Sequence, residues 1–482
     1  MSGSHKVARN VLVTLATQIL SWGMTFAVTL YLPRYVGDAG LGKLAFAASF
    51  VMIFGVFVPL GTSTVLVKDI ARDHARAAEL LAAALLLRLP LGVLMGALVV
   101  AASFLFHYPP LTRLLLEVTA AGMIVAVMND ALASTLQGQE NMSRQSVAVL
   151  VEKFLSSGLT IALVIVRAPL WMLAAVALCS NSVSLLVNAI SIRSLLPTLR
   201  LPSVATIRAL AVAGMPFMGW VVFRTLYSQT DPVILKMVTN DATVGWYAAA
   251  TRLVGSCLFL PAAMTTALLP TLSRLYRDDE AGFRQLARRM LGLVMLCGIP
   301  ISLALVLVPD RLLALLHYPP AFAHSIPVLR VGGPGLLLFY GAMVLGTLVI
   351  ASDRQHKMMH TSIIATIISI PACFAGSWLG QHFWGNGAVG AIASDALVEI
   401  YLVATYLRLL PPQTFHAENL VFIGRCAAAA VPMIAFLALA SSRGGFWIAI
   451  PCVVIYLGMC WLLRCISAQD IAVARQVMAR KI

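Results

Sequence analysis

The chain has 482 residues, 60% of them hydrophobic and 11% charged, and its mean hydropathy is +0.91. Too few polar residues remain to cover a globular surface of this size, which excludes a large water-soluble enzyme and a large extramembrane domain. The formal charge of +15 then reads as Lys and Arg gathered on the cytoplasmic side of a membrane, not as a nucleic-acid surface. The first element is an apolar run from Val11 to Leu32 behind His5, Lys6 and Arg9. It is too long for a signal-peptide core and lacks a small-x-small cleavage site, so it is expected to be retained as a span.

Segments of spanning length, about 20 residues each, are predicted at 10–32, 44–67, 80–106, 114–136, 146–166 and 170–192. A second set covers 209–232, 244–272, 286–308, 326–351, 358–379 and 387–407, and two more, 421–440 and 446–463, close the chain. The expected fold is an all-α polytopic membrane protein of about 14 transmembrane helices. With both termini placed in the cytoplasm, 22 Lys and Arg fall in inside segments and 8 in outside loops. That bias supports both the even count and the orientation.

The text also repeats itself. GDAGLGKLAFAA at 37–48 resembles NDATVGWYAAA at 240–250, with Asp38 against Asp241, Gly42 against Gly245 and Ala45 against Ala248. His107-Tyr108-Pro109-Pro110 recurs as His317-Tyr318-Pro319-Pro320. In the same order and at equivalent places, these matches point to two six-helix halves in parallel pseudo-repeat. The expected divisions are 1–200, 201–412, and 413–482 for two additional helices with a cytoplasmic tail. A parallel repeat is a transporter plan, with a cavity between halves that exchange access.

Ionisable groups within spans are expensive, roughly 2.5–3.5 kcal/mol each on insertion scales, and usually face a cavity or a partner. The basic ones are Arg88, Lys153, Arg224 and Arg252; the acidic ones are Asp130, Glu152, Asp231, Asp395 and Glu399. Asp130 and Glu152 lie within about two turns of the cytoplasmic face, where reaching water is as natural as lining a cavity. Arg224 and Asp231, seven residues apart, share a face of the seventh span, with Arg252 at similar depth on the eighth. They read either as a charged cavity lining or as a tie between helices. Arg88 either snorkels to the interface or faces the cavity. Asp395 and Glu399 share a face of the twelfth span. Two carboxylates this close raise one pKa, which suits binding of a proton or sodium ion; a cation-paired structural site is the other reading.

The eight cysteines fall in apolar stretches without a CxxC pair and read as packing residues. No HExxH, GxSxG, Walker loop or dinucleotide fingerprint occurs, so neither an enzyme nor an ATP-driven pump is expected. The outside loops are short, which speaks against a membrane glycan polymerase.

Specific patches carry a family resemblance. Arg9-Asn10 opening a span, Leu32-Pro33-Arg34-Tyr35-Val36-Gly37, and Gly40-Leu41-Gly42 before an Ala-rich helix resemble the polysaccharide-transporter (oligosaccharide flippase) family. So do Asp231-Pro232-Val233-Ile234-Leu235, Val244-Gly245-Trp246-Tyr247 and Ala250-Thr251-Arg252-Leu253. That family sits in the superfamily of the multidrug and toxin extrusion exporters and the lipid II flippases. The resemblance implies movement of a polyprenyl-diphosphate-linked oligosaccharide from the cytoplasmic to the outer leaflet of a bacterial inner membrane, by alternating access, for O-antigen, capsule or exopolysaccharide assembly. On it, Arg88, Lys153, Arg224 and Arg252 bind the anionic head group and Arg34 helps release it at the outer mouth. Asp130, Asp231, Asp395 and Glu399 serve ion coupling or charge pairing. No cofactor is expected beyond a proton or sodium gradient. The expected partners are the lipid-linked glycan, the bilayer, a polymerase and glycosyltransferases, with no nucleic acid. A cation-coupled drug or metabolite exporter is the alternative, followed by a lipid II flippase, although the first span lacks the Arg-Asp pair associated with that cousin.

Overall fold

The structure, a computed structural model, describes residues 2–195, 201–412, 414–415, 417–440, 448–463 and 465. Arg200, Arg443, Arg464, Arg475, Arg480 and Lys481 of the sidedness count lie outside them, as do the side chains of Lys6 and Arg9. The described residues are helical almost throughout, because a chain with no water to satisfy its backbone must close its hydrogen bonds within each segment.

In chain order the helices are α1 (Ser2–Gly55), α2 (Thr62–Arg72), α3 (Ala77–Leu105), α4 (Pro110–Gly138), α5 (Met142–Ile165), α6 (Leu170–Arg193), α7 (Val204–Val238) and α8 (Asp241–Ser256). There follow α9 (Phe259–Asp278), α10 (Glu280–Leu307), α11 (Pro309–Leu315), α12 (Ser325–Ala351), α13 (Gln355–Trp384), α14 (Gly387–Leu409), α15 (Ala417–Leu439) and α16 (Ala449–Leu462). Among the described residues, ten helices are long and apolar enough to cross a membrane, or twelve if the bent pairs within α7 and between α8 and α9 each make one span. The N-terminal part of α1 and the shorter apolar helix Ile450–Leu462 complete the layout of about fourteen.

Two predicted spans differ in detail. The first and second are two helices, as expected, but they meet at a kink instead of a loop: α1 is broken at Gly37, whose φ is +67°. The second is itself interrupted, since α1 ends at Gly55 and α2 begins at Thr62. Leu60 and Gly61 carry the turn in the left-handed region, at φ +48° and +71°. The counterpart break lies between Ser256 and Phe259, where α8 and α9 bend by 42°.

The pseudo-repeat shows in the turns. Non-glycine residues with positive φ close helices at His107, Glu140, Arg167, His317 and Asp353. In each case the following amide donates to the carbonyl five residues back, as Tyr108 does to Ser103 at 3.2 Å and Tyr318 to Leu313 at 3.0 Å. His107 corresponds to His317, Glu140 to Asp353, and Arg167 to Gly385, which has φ +62°. The same helix-ending geometry thus recurs at the same points of each half.

The chain forms two compact units, Met1–Ala248 and Ala249–Ile482. In the first, α4 packs on α6, α3, α1 and α2, over a core that includes Leu66, Ile70, Leu81, Leu132 and Leu136. In the second, α12 packs on α10, α14 and α9, α13 pairs with α14, and α15 lies on α10 with α16 against it. Large apolar side chains such as Leu105, Ile165, Ile190 and Trp384 are about 70% exposed. In water such surface would be a liability; against lipid it is the required one.

Candidate functional site

The first unit holds a buried charge at the broken span. Arg88 on α3 is 0% exposed, and all five of its N–H donors are engaged. Nε donates to Thr62 Oγ1 at 3.3 Å, one terminal nitrogen to Val127 O at 3.0 Å and Asp130 Oδ2 at 2.9 Å, and the other to Thr62 Oγ1 at 3.0 Å and Ser63 Oγ at 2.9 Å. Ser63 in turn donates to the same Asp130 oxygen at 2.5 Å. A guanidinium is the one side chain with a rigid fork of five donors, and here it ties the start of α2 to α3 and α4. The break supplies the acceptors, because the turn places Thr62 and Ser63 at the first positions of α2. Asp130 is different: its side chain is 48% exposed, so the open face of the cluster is acidic.

The other sequence-predicted residues divide by surroundings. Lys153 pairs with its neighbour Glu152 at 3.2 Å on α5, both partly exposed. Asp231 on α7 is buried and accepts from the Tyr247 hydroxyl at 2.6 Å, whereas Arg224 on the same helix is exposed. Arg34 lies 5.2 Å from the centre of the Tyr31 ring, a cation–π contact. In the second unit, Arg252 is partly buried near Tyr318. On α14, Asp395 is partly buried and Glu399 is 4% exposed; Ser394 beside them donates to the Ala372 carbonyl of α13 at 2.7 Å.

A second feature lies where the repeat was read. A Cβ on Gly42 would fall on the carbonyl of Asp241, and a Cβ on Gly245 would fall on the carbonyl of Asp38. α1 and the start of α8 therefore cross backbone to backbone, each glycine receiving the other's aspartate carbonyl, a reciprocal contact of the kind that two-fold related surfaces make. The side chains extend it: Trp246 Nε1 donates to Asp38 Oδ2 at 2.9 Å, and Lys236 Nζ to Asp241 Oδ1 at 2.5 Å. Deeper in, Ser49 donates to Gln229 at 2.9 Å. A second glycine crossing sits at the break of the second span, where a Cβ on Gly61 would meet the Gly214 carbonyl and one on Gly214 the Leu60 carbonyl. Sequence reasoning used Asp38, Gly42, Asp241 and Gly245 only as evidence of duplication. Their matched spacing is the signal from which the crossing could have been found; Trp246 entered only through the Val244-Gly245-Trp246-Tyr247 resemblance, and Lys236, Thr62 and Ser63 carried no signal.

Comparison with solved structures places this architecture. The lipid II flippase MurJ in an inward closed conformation matches with a TM-score of 0.72 at 13% identity, covering 96% of this chain and 100% of that one. An inward-facing multidrug resistance MATE family transporter of the MOP superfamily matches at 0.62 and 16%, covering 81% and 94%. The MATE multidrug transporter DinF-BH matches at 0.57 and 17%, covering 84% and 95%. At these identities the likeness shows the fold alone, one shared with these transporters and the flippase. No match was found among curated proteins. Residues 216–375 match the MatE family. Residues 7–276, more than half of the chain, match the sequence model described as polysaccharide biosynthesis protein, and the chain belongs to that family.

Proposed function

We propose that this membrane protein translocates a polyprenyl-diphosphate-linked oligosaccharide from the cytoplasmic to the outer leaflet of the inner membrane, by alternating access, for surface-polysaccharide assembly. The observation that carries this reading is membership of the polysaccharide biosynthesis family over residues 7–276 on a transporter fold. The divisions 1–200, 201–412 and 413–482, cytoplasmic termini, and service to a polymerase and glycosyltransferases belong to the same proposal.

Arg224, Arg252, Lys153 and Arg34 are the cations assigned to the diphosphate and acidic sugars. Each replaces lost hydration of an anion as the head group leaves water. Arg88 enters as the holder of Asp130 and of the broken span, since its donors are already taken. The glycine seam between α1 and α8 is assigned to closure on the predicted outer side, and release requires it to part.

Deleting the gene and following both surface glycan and the leaflet of the lipid-linked intermediate tests the reading. Lost surface glycan with intermediates held on the cytoplasmic side is expected, restored by the intact gene and not by Arg224→Ala. Unchanged sidedness together with new sensitivity to organic cations rejects it in favour of a cation-coupled exporter.

Coupling is assigned to Asp395 and Glu399. Glu399 is 4% exposed, and a carboxylate so placed is costly to ionise unless a cation accompanies it. Glu399→Gln is expected to leave the protein in the membrane while uncoupling transport in vesicles from an imposed proton or sodium gradient. Gradient dependence equal to wild type would remove the pair from coupling.

A further inference from the structure

The two broken spans are equivalent in position but held by different chemistry. In each, a proline follows the end of the first helix, Pro59 after α1 and Pro261 after α8, 202 residues apart against 203 for Gly42 and Gly245. Each break opens on a tightened turn: the Val58 amide donates to the Gly55 carbonyl and the Leu258 amide to the Gly255 carbonyl, both at 3.1 Å. A proline has no N–H, so the carbonyl four residues earlier loses its helical donor. Within a membrane such a group must find another. Behind Pro261 that carbonyl belongs to Cys257, and the Tyr340 hydroxyl of α12 donates to it at 2.6 Å.

The repeat shows what has replaced what. Pro90 and His107 of the first unit recur 210 residues on as Pro300 and His317. At that same offset Arg88 falls on Gly298 and Asp130 on Tyr340. The contact repeats as well: Arg88 meets Asp130 at 2.9 Å, and a Cβ on Gly298 would come within 2.7 Å of the Tyr340 ring. The second break has thus exchanged a cation for a glycine, and the room so opened holds a tyrosine that is 0% exposed. Packing accounts for the ring. It does not account for the hydroxyl, since phenylalanine fills the same space without one.

A guanidinium with five donors fixed and a single neutral hydroxyl do not hold equally. We propose that Tyr340 is a positioning residue for alternating access: its hydroxyl sets the bend between α8 and α9, and release of that one bond lets the span flex while the Arg88 break stays fixed. α8 carries Gly245 of the seam near its start and the break at its end, so a change of bend at Cys257 moves the helix that the seam grips. The inference rests on the alternating-access reading and not on the transported substrate.

The test uses the full chain in lipid nanodiscs, with two readouts that need no substrate. One is hydrogen exchange at the amides of Leu258, Phe259, Leu260 and Ala262; the other is maleimide labelling of Thr243→Cys in the seam, followed by peptide mapping. Tyr340→Phe keeps the ring and removes only the hydroxyl. It is expected to speed both exchange and labelling by about two- to tenfold, the worth of one neutral hydrogen bond, and to leave exchange at 56–63 unchanged. Pro261→Ala supplies the missing N–H, so adding Tyr340→Phe to it should change neither readout, a coupling that lost packing does not produce. Break exchange equal to the parent's in Tyr340→Phe overturns the proposal. So does faster exchange without faster labelling, or an equal effect of Tyr340→Phe in the Pro261→Ala background. Failure of the glycan assay would alter none of these measurements.

Discussion

Replacing Gly245 with valine is expected to hold the α1–α8 seam apart and to abolish transport. The new Cβ falls on the Asp38 carbonyl, a backbone atom that no side-chain rotation can move away. Overpacking costs about 1–3 kcal/mol, and a backbone clash belongs at the upper end, so the closed arrangement should lose on the order of a hundredfold in population. Thr243 is 1% exposed in the closed seam, and Thr243→Cys gives the readout. A membrane-impermeant maleimide added outside should label it poorly in the parent protein and readily with Gly245→Val. Surface glycan should fall with the same variant while protein level is maintained. Gly42→Val should behave alike, because the two glycines occupy equivalent sides of one crossing. Normal glycan output and unchanged labelling in both variants would mean that the seam does not gate.

Arg88→Ala is expected to be the most destabilising single change in the first unit. It leaves the Thr62 and Ser63 hydroxyls, the Val127 carbonyl and the Asp130 carboxylate without their shared donor. Removing one partner of a buried ion pair costs about 3–5 kcal/mol, and the lower end applies, since Asp130 can still reach solvent through a 48% exposed side chain. Thermal unfolding in detergent measures it directly. Arg88→Lys should recover little, because an ammonium cannot reproduce a five-donor fork, and Arg88→Met combined with Asp130→Leu should recover more stability than Arg88→Ala. Were Arg88 mainly a head-group ligand, Arg88→Ala would melt like the parent and fail only in transport.

Much of this was legible in the chain itself. Hydropathy dictates helices and their number, since a lipid-exposed backbone has few other solutions, and paired motifs such as His107-Tyr108-Pro109-Pro110 and His317-Tyr318-Pro319-Pro320 mark the duplication. The charges inside the spans could also be named from residue type alone. Their roles could not. Arg88 and Arg224 are both arginines within apolar runs, yet one is buried and the other exposed; helical periodicity places a residue on a face without saying what that face meets.

What only the tertiary structure decided is where helices touch. The kink of α1 at Gly37, the turn at Leu60 and Gly61, the engagement of Thr62 and Ser63 by Arg88, and the crossing of Gly42 with Gly245 all depend on partners elsewhere in the chain. Partitioning into lipid is a property of each segment by itself, so sequence determines it. Close approach between segments is governed by side-chain shape at one point of contact, where a single missing Cβ lets two backbones meet, and only the folded chain brings those points together.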